Sequence, residues 1–125
     1  MLYDPKNDYD DIGKTLLKTA DYLEEHGHCK GSFSDLQGRV CLYGALNIVI
    51  YGISNRHNMS VGRFNSLKTE TVLWYSCSEA IVEAHIKLTR DIEGSVVDWN
   101  DAVDRTPDQV IDLVRFAAEK HKVIA

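Results

Sequence analysis

The sequence predicts a mainly all-α domain of four helices, compact around a central apolar one. Three observations lead there. Ile12, Leu16, Ala20 and Leu23 recur at helical spacing, and so do Leu67, Thr71, Trp74, Cys77, Ile81, Ala84 and Leu88. Thr106-Pro107-Asp108-Gln109 is a strong helix start signal. Gly38 to Tyr51 is the most apolar run of the chain, and Gly52 follows it as a stop. The 125 residues suit one domain, 1–125. A chain of this length buries roughly two thirds of its unfolded surface, enough for a core without staples.

Residues 1–9 are polar and include Pro5, which predicts an irregular arm. Asp10 or Asp11 caps the first helix, which runs to about His26. Lys14, Lys18, Asp21 and Glu25 make its polar side, and Gly27 stands where a left-handed C-cap belongs. Residues 27–39 read as loop, with a short extended piece near Ser32-Phe33 and turn chemistry at Asp35-Leu36-Gln37-Gly38. Val40 to Tyr51 is apolar all round, so it is placed centrally as a helix. Gly44 in its middle costs about 1 kcal/mol against alanine, which predicts another backbone crossing close by. Ile, Val and Tyr also favour sheets, so a strand over Asn47–Ile53 stands as the alternative and minor β content stays open.

Residues 52–66 form a polar connection with a helical turn near Val61–Asn65. The third helix, Leu67 to Leu88, would be about 33 Å long. Its repeat resembles a coiled-coil seam, with Val72, Leu73 and Tyr75 as a second apolar patch. Core packing and a homodimer through the 67–88 helix both explain that seam. Asp91–Asp104 reads as a connection that carries Val96-Val97-Asp98-Trp99-Asn100-Asp101. In the last helix Thr106 is the N-cap, Pro107 occupies the first turn, and Gln109 completes a capping box. Val110, Leu113, Val114, Ala117 and His121 line one face, and Lys120 to Lys122 lie near the negative end of the helix dipole.

Composition narrows the function classes. The hydrophobic share is 44% and the charged share 26%, ordinary for a globular protein. Acidic residues outnumber basic ones by 19 to 14, for a net charge of -5. Generic DNA binding, which rests on neutralising phosphates, is therefore not expected. The longest uninterrupted apolar run, around Ile48 to Tyr51, is far too short to span a bilayer. Cys29, Cys41 and Cys77 are odd in number and lack metal-type spacing, and Met1 to Lys6 shows no apolar signal core. These features predict reduced thiols in a reducing cytoplasm.

Cys41 is the one candidate for covalent chemistry. A helix N-terminus and nearby Arg39 would both stabilise its thiolate. His28, His57, His85 or His121 could act as its base, with Asn100 or Asp101 orienting the imidazole. A small buried apolar residue is the plain alternative. Trp99-Asn100-Asp101 is the binding candidate: the indole to stack on a ring, the amide and carboxylate to read donors. Arg39 and Arg105 would hold anionic groups. The alternative is a tryptophan packed in the core beside two turn-capping side chains. His26-x-His28-Cys29 has the look of a metal tract but lacks a fourth ligand, so no metal is expected. Gly27, Gly31 and Gly38 make no nucleotide-loop spacing, and no cofactor is expected.

Several of these residues carry a resemblance. They are Ala20-Asp21-Tyr22-Leu23, Gly27, Lys30-Gly31, Gly38 through Leu46, Trp99-Asn100-Asp101, Arg105-Thr106, and Val110 through Val114 with Ala117-Ala118. In that order they resemble a family of small uncharacterised proteins of bacteria and their phages. The likeness spans residues 12–120 but leaves 52–95 unmatched. The family has no assigned activity, so the resemblance implies none. It does imply a phage or mobile-element origin, where proteins of this size act as accessory binders of host enzymes or host immune signals.

Three functions follow as expectations. The first is a non-enzymatic binding protein that captures a host component, either a host protein or a small anionic, nucleotide-like signal, through Arg39, Trp99, Asn100, Asp101 and Arg105. The second is a thiol hydrolase or transferase using Cys41. The third is a structural interaction module.

Overall fold

A computed structural model describes residues 3–52 and 68–123. Five α-helices lie among the described residues: α1 (Asp11–His26), α2 (Leu42–Tyr51), α3 (Lys68–Thr89), α4 (Val96–Asp101) and α5 (Pro107–Glu119). The described residues form no sheet, only isolated bridges: Tyr9 with Lys122, and Val40 with both His28 and Ser34. The fold is all-α, as expected. The helical turn expected near Val61–Asn65, most of the 52–66 connection, and Leu67 lie outside the described residues.

The arm before α1 is more ordered than its composition suggests. Pro5–Asp8 form a 3-10 turn whose N-cap is Asp4. Asp10 caps α1 by accepting from the Gly13 N–H at 2.9 Å. The expected face is buried, with Leu16, Ala20 and Leu23 inside. Thr15 and Thr19 share that face because their hydroxyls donate back to the carbonyls of Asp11 and Thr15. Gly27 ends α1 at φ 92° and ψ 162°. That is a positive φ but not the left-handed helical C-cap expected, because the chain turns at once into the extended pairing of His28 with Val40.

The 40–51 run is a helix, not a strand, through Tyr51; Ile53 lies outside the described residues. Gly52 closes it in the left-handed conformation, φ 80° and ψ 8°. The helix starts two residues later than expected, with Cys41 as its N-cap. Leu42, Ala45, Leu46 and Tyr51 are buried, while Tyr43, Ile48, Val49 and Ile50 are only partly covered. The apolar α2 is thus in the core, but the hub is α1, which packs on α2, α3 and α5. The crossing that Gly44 implied is the loop before α2. A Cβ at Gly44 would run into the Phe33 carbonyl group, whose carbon lies 2.9 Å away.

In α3, Cys77, Ala80, Ile81, Ala84 and His85 are buried. Leu88, expected on the same seam, is 56% exposed. A straight helix drifts about 20° per heptad from a seven-residue repeat, so three heptads from position 67 carry position 88 off the seam. The seam is spent on the domain's own core, and Val72, Tyr75 and Val82 remain exposed on α3. A homodimer through this helix would use that other face.

The stretch expected as a connection contains α4, capped by Ser95, whose hydroxyl accepts from the N–H groups of Val97 and Asp98. In α5 the capping box is complete: Thr106 accepts from the Gln109 N–H, and the Gln109 side chain accepts from the Thr106 N–H. Val110, Leu113, Val114 and Ala117 are buried as expected. His121 is not on that face, because α5 ends at Glu119. It lies in the following turn, where its Nδ1 is 3.0 Å from the Asp10 carboxylate. Among the described residues, no helix is long and apolar enough to cross a membrane.

Candidate functional site

The loop 27–39 is held against the start of α2 by backbone pairing. Val40 N–H donates to Gly27 at 3.0 Å, Cys29 N–H to Val40 at 2.9 Å, and Cys41 N–H to Phe33 at 3.1 Å. This folds Gly31 to Ser34 over the N-terminal end of α2. On the far side stands α4. Between them lies a cleft of about 530 Å³, lined by Gly31, Ser32, Phe33, Ser34, Cys41, Leu42, Tyr43, Val97, Asn100 and Asp101. That size is within the range of small-molecule pockets.

Asn100 is the pin of this arrangement. It is buried, and its Oδ1 accepts from the Leu42 N–H at 3.2 Å. A backbone N–H can only donate, so the oxygen must face Leu42. The same oxygen is 2.7 Å from His28 Nε2, which therefore carries the proton. Its Nδ2 donates to the Cys29 carbonyl at 3.4 Å and to Asp101 Oδ1 at 2.8 Å. One amide thus caps α2, holds the loop and orients Asp101. Its four hydrogen-bonding directions are spent within the protein.

Asp101 is different. Its Oδ1 accepts from Asn100 and from the Gly31 N–H at 3.0 Å. No hydrogen bond to its Oδ2 occurs among the described residues. Among the described residues, Asp101 is the one formally charged side chain in the lining. The cleft therefore presents a fixed carboxylate oxygen beside the apolar surface of Phe33, Leu42, Tyr43 and Val97.

Cys41 faces this cleft, but its thiol is not activated in the way expected. Burial pushes the thiol up, which the Gly44 N–H only partly offsets, and nearby Cys29 and Asp101 push it further. Its Sγ accepts from the Gly44 N–H at 3.3 Å as the N-cap of α2. Arg39 does not stand beside it. Arg39 is 52% exposed and paired to Asp35 at 2.6 Å, outside the cleft. His28 is bound to Asn100, and among the described residues no hydrogen bond joins it to Cys41.

Trp99 and Arg105 lie in a second cleft of about 440 Å³, shared with Leu88, Thr89, Gln109, Asp112, Leu113 and Phe116. The Trp99-Asn100-Asp101 motif thus borders two clefts. Successive residues of a helix point about 100° apart, so a triplet on α4 cannot face one ligand. His26 and His28 also part company. His26 stacks on Tyr22 with ring centroids 4.0 Å apart, while His28 turns to Asn100.

Sequence reasoning passed over Gly31, Ser32, Phe33, Ser34 and Tyr43 as site residues. The only signal toward them was Gly44, whose missing side chain leaves room for the Phe33 carbonyl. No curated protein and no solved structure matches the chain. The match that exists runs through residues 9–120, including the middle segment left unmatched by motif. Over that span the chain belongs to DUF6197, a family of unknown function.

Proposed function

We propose that the protein is a non-enzymatic binding protein whose α2–α4 cleft captures a small planar heterocycle of its host. The observation that carries this reading is the unspent Asp101 Oδ2, fixed beside an apolar wall. A single open carboxylate oxygen in that setting accepts from a ligand that presents an N–H donor on a flat ring, as an aminated heterocycle does. Of a nucleotide-like signal, the cleft suits the base, since its described lining offers no cation to a phosphate. The resemblance to small uncharacterised proteins of bacteria and their phages suggests a phage origin, and by analogy with small phage proteins counter-defence, by sequestration of a host signal, is the setting we infer.

The test is titration of 15N-labelled protein with 2-aminobenzimidazole, a flat ring with paired N–H donors. Saturable shifts of the Gly31 and Leu42 amides are expected. Asp101→Asn keeps an oxygen for Gly31 and Asn100 but removes the charge, and is expected to weaken binding about tenfold. Equal binding of benzimidazole-2-carboxylate, or binding unchanged by Asp101→Asn, would overturn the proposal.

A thiol-hydrolase reading draws on one observation. Cys41 and Asn100 border one cleft and His28 is bonded to Asn100, so the three residue types of a Cys-His-Asn set are close. Against it stand the raised thiol and the missing link from His28 to Cys41.

A further inference from the structure

Arg105 holds a charge that the Asp101 cleft does not use. Its guanidinium carbon lies 4.0 Å from the centre of the Trp99 ring. Nε donates to the Trp99 carbonyl at 2.8 Å, and Nη1 to Gln109 Oε1 at 3.4 Å. Gln109 is itself locked by the capping box of α5. Both acceptors are neutral. No described carboxylate comes within ion-pair distance of Arg105. The guanidinium is therefore oriented over the indole by two hydrogen bonds, and its charge meets no ion-pair partner among the described residues.

The surroundings favour an aromatic guest. Trp99 is backed by His85, which meets it edge-on at 5.9 Å between centroids and is buried. Leu113 floors the cleft, and Phe116 and Leu88 are 46% and 56% exposed at its margin. A ring can lie against Leu113, Phe116 and Leu88 while its anionic group meets the guanidinium N–H groups that Trp99 and Gln109 leave open. Asp112 also borders the cleft. Its charge disfavours a dianion and leaves one negative charge as the best match.

We propose that the Trp99–Arg105 cleft is a second, separate binding site, for a small aromatic monocarboxylate. It does not rest on the Asp101 cleft, and Asp101→Asn is expected to leave it unchanged.

The chain has two tryptophans, so the indole N–H region of a 15N spectrum shows two peaks, and Trp99→Phe assigns the relevant one. Titration with 2-naphthoate is expected to shift the Trp99 peak saturably. The analogue 2-naphthylmethylammonium is expected to leave it in place, and 2-naphthyl phosphate at pH 8 to bind more weakly than the carboxylate. Arg105→Gln is expected to weaken naphthoate binding at least about tenfold. If that variant loses its fold, exposed Asp112 supplies the second arm: Asp112→Asn should tighten naphthoate binding about threefold by removing a like charge. Binding of the ammonium compound as tight as the carboxylate's overturns the assignment. So do tighter phosphate binding, naphthoate binding indifferent to Arg105→Gln in a folded protein, and no tightening with Asp112→Asn.

Discussion

Asn100→Ala separates a structural pin from a ligand-reading side chain. The substitution strips a partner from the Leu42 N–H and from the Cys29 carbonyl, both in buried hydrogen bonds. Each buried group left without a partner costs about 1–3 kcal/mol. At 3.2 and 3.4 Å both bonds are long, which places each near the lower end of that range, about 1–1.5 kcal/mol. His28 and Asp101 are partly exposed and can turn to water, so they add little. The sum is about 2–3 kcal/mol. Unfolding entropy of about 2.1 cal/mol/K per residue over 125 residues converts this to a fall in Tm of roughly 8–11 °C. Thermal and urea melts by circular dichroism measure it, and hydrogen exchange at the Leu42 amide localises it. Asp101→Asn is the control, expected to move Tm by less than about 2 °C, because an amide oxygen replaces the accepting carboxylate oxygen. A fall under about 4 °C for Asn100→Ala, with Leu42 exchange no faster than in the parent, would refute the pin.

Three further outcomes follow from local geometry. Gly44→Ala gains about 1 kcal/mol of helix propensity, yet its Cβ meets the Phe33 backbone rather than a yielding side chain. Overpacking of that kind costs about 1–3 kcal/mol, so a lower urea midpoint is expected, and a higher one would show that the crossing is not close. Cys41 should react with iodoacetamide at pH 7.5 more slowly than a free cysteine peptide, since burial raises its thiol; a faster rate would restore the activated nucleophile. Burial alone would raise the Asp10 carboxyl, but the Gly13 N–H and His121 outweigh it and hold it below the usual range. An unfolded aspartate titrates near about 3.9, so this stability is complete above that pH and is lost as pH falls through the lower folded value. Asparagine caps a helix equally well. The Tm gap between the parent and Asp10→Asn should therefore shrink from pH 5 to pH 2, and a gap constant with pH would exclude the charge effect.

The helices were legible because their signals are local. Thr106 to Gln109 announce α5 with chemistry completed inside four residues, and Gly52 stops α2 for the same reason. The all-round apolarity of Val40 to Tyr51 was legible too, but its meaning was not. A run without a polar face suggests the centre of a bundle, whereas here part of α2 is only half covered. The hub is α1, whose amphipathic pattern gave no hint that three helices converge on it. The drift of Leu88 off its seam is a matter of period: spacing of three and four is compatible with either 3.5 or 3.6 residues per turn. Over a few turns the two diverge enough to expose a leucine.

The site was half legible for a different reason. Residue type singled out Trp99, Asn100, Asp101 and Arg105, which border clefts, and Arg39, which borders neither. Adjacency in sequence then suggested one site, which holds for an extended connection but fails on a helix. Once Val96–Asp101 coils, Asn100 must point inward to serve Leu42 and the loop, and that fixes the two neighbours on either side of it. Trp99 is committed to the α3–α5 side, where His85 and Arg105 meet it. Asp101 is committed to the loop side, where Gly31 meets it. The buried amide therefore decides how many ligand surfaces the motif can make. It also sets their chemistry apart: the side that keeps the carboxylate suits a donor, and the side that keeps the guanidinium suits an acceptor. Any ligand that engaged Trp99 and Asp101 together would have to unwind α4 and strip Leu42 of its partner. The two proposed sites, of opposite charge preference, thus rest on one short helix with an asparagine turned inward.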